Sequence, residues 1–389
     1  MTRPRATALL CLLAAACATT SLPPVTSRNF ALEDDEKRMW ARAEEEQKKI
    51  EASGALYKDA ELEGYLNSVA RKLQPPEVFK AIRFRIQVAK SRQFNASAAP
   101  NGVIYVHSGL LAQMDNEAQL ATLLGHEMTH ATHRHAIRDF RDTMNKTAFL
   151  ATVNVTLAGV PFVGGLASLA AAVGTTAAIT GYSRDQEREA DREGLRLMVQ
   201  AGYNPAEAPK LFYVLQKELE EEKVKEPFFY SSHPRLQERI DTYEDLLKTE
   251  YAGRTKGVKN GELFLKKIHG IVLDNAWMEL KAGRFVHAQR GAEKYLAIRS
   301  DDARGRYLLG EVFRQKGGDG DADRAKEQYR KAIFLDPSYP DPHKGIGLLH
   351  LKLGEKRLCR KPLESYLSLA PRASDRPYVE EYLRQCDQR

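Results

Sequence analysis

The residues best suited to chemistry are Gly125-His126-Glu127-Met128-Thr129-His130. On an α-helix, positions four apart lie only about 40° apart around the axis, so both imidazoles can face one ion. Glu127 projects on the flank, placed to take a proton from water at that ion. This H-E-x-x-H spacing is the zinc-peptidase arrangement. A catalytic zinc takes three protein ligands and keeps one position open for water. His133 and His135 follow the pair and could supply the third. However, His133 stands three and seven residues from the pair, and His135 lies beyond a turn of helix. The better candidate is in Ser183-Arg-Asp-Gln-Glu187-Arg-Glu-Ala-Asp191. Glu187 and Asp191 share a helix face, so Glu187 can bind metal while Asp191 accepts the outer N–H of an imidazole and fixes its tautomer. Glu189, two residues off, is expected to point elsewhere. The bland alternatives are solvated histidines on a charged helix and a salt-bridged surface helix.

Elements to position these groups are readable nearby. Asn116 looks like a helix N-cap with Gln119 at the third position, and Leu120, Leu124 and Met128 continue one face. That helix is expected to run to about Asp142. Upstream, 32–74 has helical spacing and reads as two helices. Phe84–Val88 alternates, and Val103–His107 is β-branched and aromatic after the turn signal Pro100-Asn-Gly, so an antiparallel pair is expected. Residues 147–183 carry no charge over 37 positions, but Pro161 and Gly164-Gly165 cut the run into pieces at or below the roughly 20 residues a spanning helix needs. A buried helical hairpin over the domain is expected, with membrane-surface contact of its tip as the alternative.

Residues 250–266, rich in Gly and Lys, mark a domain boundary. Beyond it, Ala276, Gly310 and Gly347 recur 34 and then 37 residues apart, and Ala288, Ala325 and Cys359 recur at 37 and then 34. Small residues with a period near 34 are the tetratricopeptide signature, with the extra residues in Gly317–Asp321. An unrelated helical bundle is the plainer reading.

The 389 residues carry a net charge of +7, spread without blocks, with 43% hydrophobic and 29% charged residues. That balance argues against a disordered chain, a multi-span transporter and a nucleic-acid binder. Arg3 and Arg5, an apolar run from Ala6 to Ala16 and the small triplet before Cys17 have the layout of an export signal. The triplet with Cys17 resembles a bacterial lipobox, although Leu13 stands four places before the Cys instead of three. An ordinary secretory signal is the alternative.

Together with Asn95-Ala-Ser-Ala98, Gly102–Val106, Gly109-Leu-Leu111, Ala201–Pro205 and Ser232–Ile240, these motifs resemble the CAAX-prenyl-protease/HtpX-like family of zinc metalloendopeptidases, in particular its exported BepA-like members. Ser97 and Gln119 depart from the family pattern, where a bulky apolar and an acidic residue are usual. The resemblance implies one Zn2+ per chain on His126, His130 and Glu187, with Glu127 as base, Asp191 behind a ligand and His233 near the metal. His233 would either donate to the oxyanion or occupy the open zinc position, or serve only as a turn residue. Val103, Ile104, Tyr105 and Val106 would pair with an extended substrate. The expected architecture is α+β, predominantly helical: a gluzincin-type metalloprotease domain with a small antiparallel sheet, then an all-α tetratricopeptide solenoid. Its divisions are a lipoprotein signal peptide (1–16), a tether (17–30), the peptidase (31–250) and the repeats (268–389). Function is then cleavage of envelope proteins in the periplasm. Lipid on Cys17 would anchor the chain, at the outer membrane more than the inner, and the repeats would bind a protein partner. A chaperone or scaffold with a latent protease domain is the alternative. A structural zinc is disfavoured, since such sites close with four protein ligands. Cys359 and Cys386 are expected to form a disulfide spanning 27 residues.

Overall fold

The computed structural model describes residues 19–28, 30–145, 182–222, 236–254 and 256–387. Cys11, Cys17, His233 and nearly all of the expected hairpin at 147–183 lie outside them. The chain divides into two compact units: one runs to Gly261 apart from Leu111–Gln113, and the other comprises those three residues and Glu262 onward. Both are mostly helical. Among the described residues no helix is long and apolar enough to cross a membrane.

The first unit opens with α1 (Asp34–Ala52), α2 (Ala60–Leu73) and α3 (Pro76–Ala81). A three-stranded sheet follows, β1 (Arg85–Ala89), β2 (Ala96–Ala98) and β3 (Val103–His107), in the order β1-β3-β2. After α4 (Ser108–Gln113) come α5 (Glu117–Thr132), α6 (Arg184–Gln200), α7 (Ala208–Glu222) and α8 (Leu236–Lys248). Every residue of α5 is buried, so this helix is the core of the unit.

The sheet is mixed, which corrects the expected antiparallel pair. β1 runs parallel to β3, from Arg85 opposite Val103 to Ala89 opposite His107. The antiparallel partner of β3 is β2, with Ala96 opposite Val106. The turn at Pro100-Asn101-Gly102 does close a hairpin, with Gly102 N–H donating to Ala99 O at 2.9 Å and Gly102 at φ 92°. It joins β3 to a three-residue strand too short to show alternation, so the turn signal was assigned to the longer run before it.

Two further expectations change. α5 stops at Thr132 instead of continuing to Asp142: Arg134 takes a left-handed φ of 60° and helix resumes over 135–145. The buried Arg134 guanidinium holds this break through Glu36, at 2.5 Å, and Pro23 O, at 3.2 Å. The described part of the expected tether is also not free chain. Leu22 and Val25 are buried, Val25 N–H donates to Thr132 O at 2.9 Å, and Arg141 donates to Thr19 O at 3.0 Å. Residues 19–28 form a strap across the end of α5.

Among the described residues the second unit has seven helices: α9 (Gly261–Lys281), α10 (Phe285–Ile298), α11 (Ala303–Lys316), α12 (Asp321–Leu335), α13 (Asp341–Lys352), α14 (Lys356–Leu369) and α15 (Arg376–Asp387). The recurring small residues pack inside it: Ala276, Ala288 and Ala325 are fully buried, and a Cβ on Gly310 would meet the Tyr329 ring at 2.6 Å. Cys359 of α14 and Cys386 of α15 are disulfide-bonded with Cα atoms 6.1 Å apart, inside a cluster with Leu363, Tyr366 and Val379. Closing a loop of this length stabilises by about 3–4 kcal/mol in the chain-entropy account. Thermal melts of the full chain with and without reductant should show a lower midpoint for the C-terminal transition on reduction.

Candidate metal centre

The N-terminus of α5 is fixed by polar side chains. Asn116 Oδ1 accepts from Gln119 N–H at 3.1 Å as the N-cap. Buried Glu117 accepts from Tyr203 OH at 2.6 Å, Tyr65 OH at 2.7 Å, Lys72 Nζ at 2.8 Å and Asn260 Nδ2 at 3.0 Å. Burial alone would raise its carboxyl pKa, but these donors hold it below the usual range. Gln119 uses both ends of its amide, accepting from Asp115 N–H at 2.9 Å and donating to Glu207 at 3.4 Å. An acidic residue could not donate to Glu207, which accounts for the departure at this position.

α5 and α6 cross at two glycines. A Cβ on Gly125 would lie 2.8 Å from Gly194 O, and one on Gly194 would lie 2.7 Å from His126 N. Only bare backbones approach this closely, and the approach brings Glu187, one turn into α6 from its Ser183 cap, up to the two histidines. Gly194→Ala is expected to cost about 1–3 kcal/mol by overpacking and to weaken zinc binding by spreading the helices. Urea unfolding and a zinc titration check this; unchanged stability would refute it.

His126, His130 and Glu187 converge in a buried cluster. His126 Nε2 lies 2.9 Å from His130 Nε2, and the Glu187 oxygens lie 3.4 Å from His130 Nε2 and 3.6 Å from His126 Nε2. Zinc bonds of 2.0–2.2 Å in tetrahedral geometry separate ligand atoms by roughly 3.3–3.6 Å; the two Glu187 distances match this, and the His126–His130 separation is shorter by a few tenths of an ångström. Two imidazole nitrogens and a carboxylate are also the ligand types zinc prefers. Burial, then the neighbouring His126, lowers the His130 pKa well below normal and keeps that ring neutral. His130 stacks on partly buried Tyr182 with ring centres 3.8 Å apart. Burial, then the charge of Glu127, raises the Tyr182 phenol far above its ordinary pKa. Glu127 is itself fully buried on α5.

Behind the cluster, Asp191 Oδ1 lies 2.9 Å from His126 Nδ1 and accepts from Tyr243 OH at 3.0 Å. Arg239, on α8, reaches Asp191 Oδ1 at 2.5 Å and Glu187 Oε2 at 3.4 Å. Its Nη2 is also 2.9 Å from His126 Nδ1. Arginine can only donate, so of the two groups beside His126 Nδ1 the one able to accept a proton from it is Asp191. With the proton there, Nε2 keeps its lone pair for a metal. Burial pushes the Asp191 carboxyl up, yet Arg239 and His126 outweigh it and hold it below the usual value.

Glu189 stays outside the cluster and bonds instead to His135. His135 is buried, which lowers its pKa to about 4. Val103, Ile104, Tyr105 and Val106 do not offer an open edge. β3 is the central strand, paired on both sides, and cannot take a third partner. The outer edge of β2 has no strand partner among the described residues, and Ala98 and Ala99 line a cleft with His130 and Tyr182. Sequence reasoning assigned no role to Arg239, Tyr243 or Tyr182; the place of Arg239 within the Ser232–Ile240 motif was its one available signal.

The segment that carries this cluster matches a known family. Residues 57–246 match the model of peptidase family M48. The chain is 27% identical over 199 residues to the beta-barrel assembly-enhancing protease of Escherichia coli K12, covering 50% of this chain and 40% of that protein. It is 28% identical over 185 residues to the mitochondrial metalloendopeptidase OMA1 of Schizosaccharomyces pombe, 47% of this chain and 52% of the relative. With metalloprotease LoiP of Escherichia coli K12 the identity is 31% over 172 residues, 43% and 64% of the two chains. The match therefore spans less than two thirds of each relative. His126, His130 and Glu187 all fall inside the matched segment, and residues 57–246 of this chain are a family M48 peptidase domain.

Proposed function

We propose that the chain is a zinc-dependent metalloendopeptidase in which His126, His130 and Glu187 hold the ion. The observation that carries this is the spacing of their three ligand atoms, with Asp191 setting the tautomer of His126. Zinc, when bound, acidifies water and polarises a peptide carbonyl. Glu127 accepts the proton of the attacking water and returns it to the leaving nitrogen. An extended substrate adds to the outer edge of β2, whose C-terminal end adjoins the cleft at His130 and Tyr182.

The substrates are proteins of the bacterial envelope, in keeping with the similarity to the beta-barrel assembly-enhancing proteases. The second unit is a tetratricopeptide array that recruits a client or partner, and Cys17 carries a lipid anchor that keeps the enzyme in the periplasm, at the outer membrane. The purified full chain should contain about one zinc and cleave casein, with cleavage abolished by chelator and restored by zinc. A metal-free protein that takes up no zinc would sink the reading.

A further inference from the structure

His130 has a second ring nitrogen, and it is occupied. Its Nδ1 lies 2.8 Å from Nδ1 of His135, whose Nε2 lies 3.0 Å from Glu189 Oε2. His135 is fully buried, whereas the Glu189 side chain is 40% exposed and also accepts from Arg138 Nη1 at 3.2 Å. The chain of contacts therefore runs from the metal cluster to the surface.

Hydrogen-bond chemistry orders the protons along it. A carboxylate only accepts, so the proton on His135 Nε2 points at Glu189. A neutral His135 then has a lone pair on Nδ1. Two facing ring nitrogens approach this closely only if one carries a proton or both bind one ion; the Nε2 atoms of His126 and His130 are the pair that would share the ion, so at His135 it is His130 that donates, from its Nδ1. That places the His130 lone pair on Nε2, toward His126 and Glu187. With the opposite tautomer His130 would present an N–H to the ion and could not bind it.

The break at Arg134 makes the contact possible. On an uninterrupted helix a residue five positions on lies roughly 140° around the axis, facing away from His130. The left-handed turn at Arg134 brings His135 back across the ring.

We infer that His135, oriented by Glu189, is a positioning residue that fixes the metal-binding tautomer of His130, as Asp191 does for His126. This rests on the proposed zinc site. The test is zinc affinity of the full chain, measured by competition with a chromophoric chelator and independent of activity. His135→Phe keeps a ring but removes the acceptor, and is expected to weaken zinc about 10–100-fold. His135→Asn places an oxygen where Nδ1 was and is expected to recover most of that loss. Glu189→Ala, at a half-exposed position that folding tolerates, should weaken zinc several-fold and covers the case in which His135→Phe does not fold. Wild-type affinity in His135→Phe, an Asn variant as weak as the Phe variant, or an unchanged Glu189→Ala would each overturn the inference. If wild type binds zinc, His126→Ala does not and His135→Phe matches wild type, only this inference falls. If wild type itself binds none, the zinc reading falls.

Discussion

Glu127→Gln is expected to retain zinc and to lose peptide-bond cleavage by about 10²–10⁴-fold, the contribution typical of a positioned general base. The amide has nearly the same shape, so the fully buried position on α5 stays filled. It cannot accept a proton from water at neutral pH. None of the three grouped ligand atoms belongs to Glu127, so metal content should not change. Casein hydrolysis with zinc measured by atomic absorption separates the two effects. Cleavage within tenfold of wild type would remove Glu127 from the mechanism. Loss of zinc along with activity would mean the residue holds the site together instead of acting on water. A substrate-trapping pull-down with the same variant would identify clients.

The second large effect falls on stability. Arg239→Met is expected to cost about 3–5 kcal/mol, because it leaves Asp191 charged in a site with almost no solvent. The Arg239 and Asp191 side chains are 4% and 1% exposed. Asp191 would keep its contacts with Tyr243 and His126, but neither brings a permanent positive charge. The double variant Asp191→Asn/Arg239→Met removes both charges and should be more stable than Arg239→Met alone, even though it has one more substitution. Urea unfolding of the four corners of this cycle measures the coupling. Additive losses would show that the pair is not electrostatically linked. Zinc affinity should fall in both variants, since His126 loses its orienting partner or that partner its anchor.

The metal cluster was legible because its geometry is local. His126 and His130 share a helix, and Glu187 and Asp191 share another, so periodicity alone places each pair. What escaped depends on chain separated in sequence or on a broken period. Arg239 reaches Asp191 from 48 residues away, and no spacing rule connects them. His135 was discounted on the assumption of one continuous helix, which Arg134 interrupts. The parallel pairing of β1 with β3 was hidden by β2, because three residues of Ala and Ser show no alternation. Even a correctly read turn then joined the wrong strands. The uneven 34- and 37-residue spacings, by contrast, marked positions that are buried between helices in the second unit, because close helix contact constrains side-chain size directly.

The strap over α5 sets a length scale. Thr19, held through its carbonyl by Arg141, is two residues from Cys17. An extended chain covers at most about 3.5 Å per residue, so a lipid on Cys17 would place the bilayer surface within roughly 7 Å of that fixed point. The peptidase unit would then have almost no slack. Its encounters would be a two-dimensional search along the membrane plane, weighted toward polypeptides emerging at that surface and against those dissolved in the bulk.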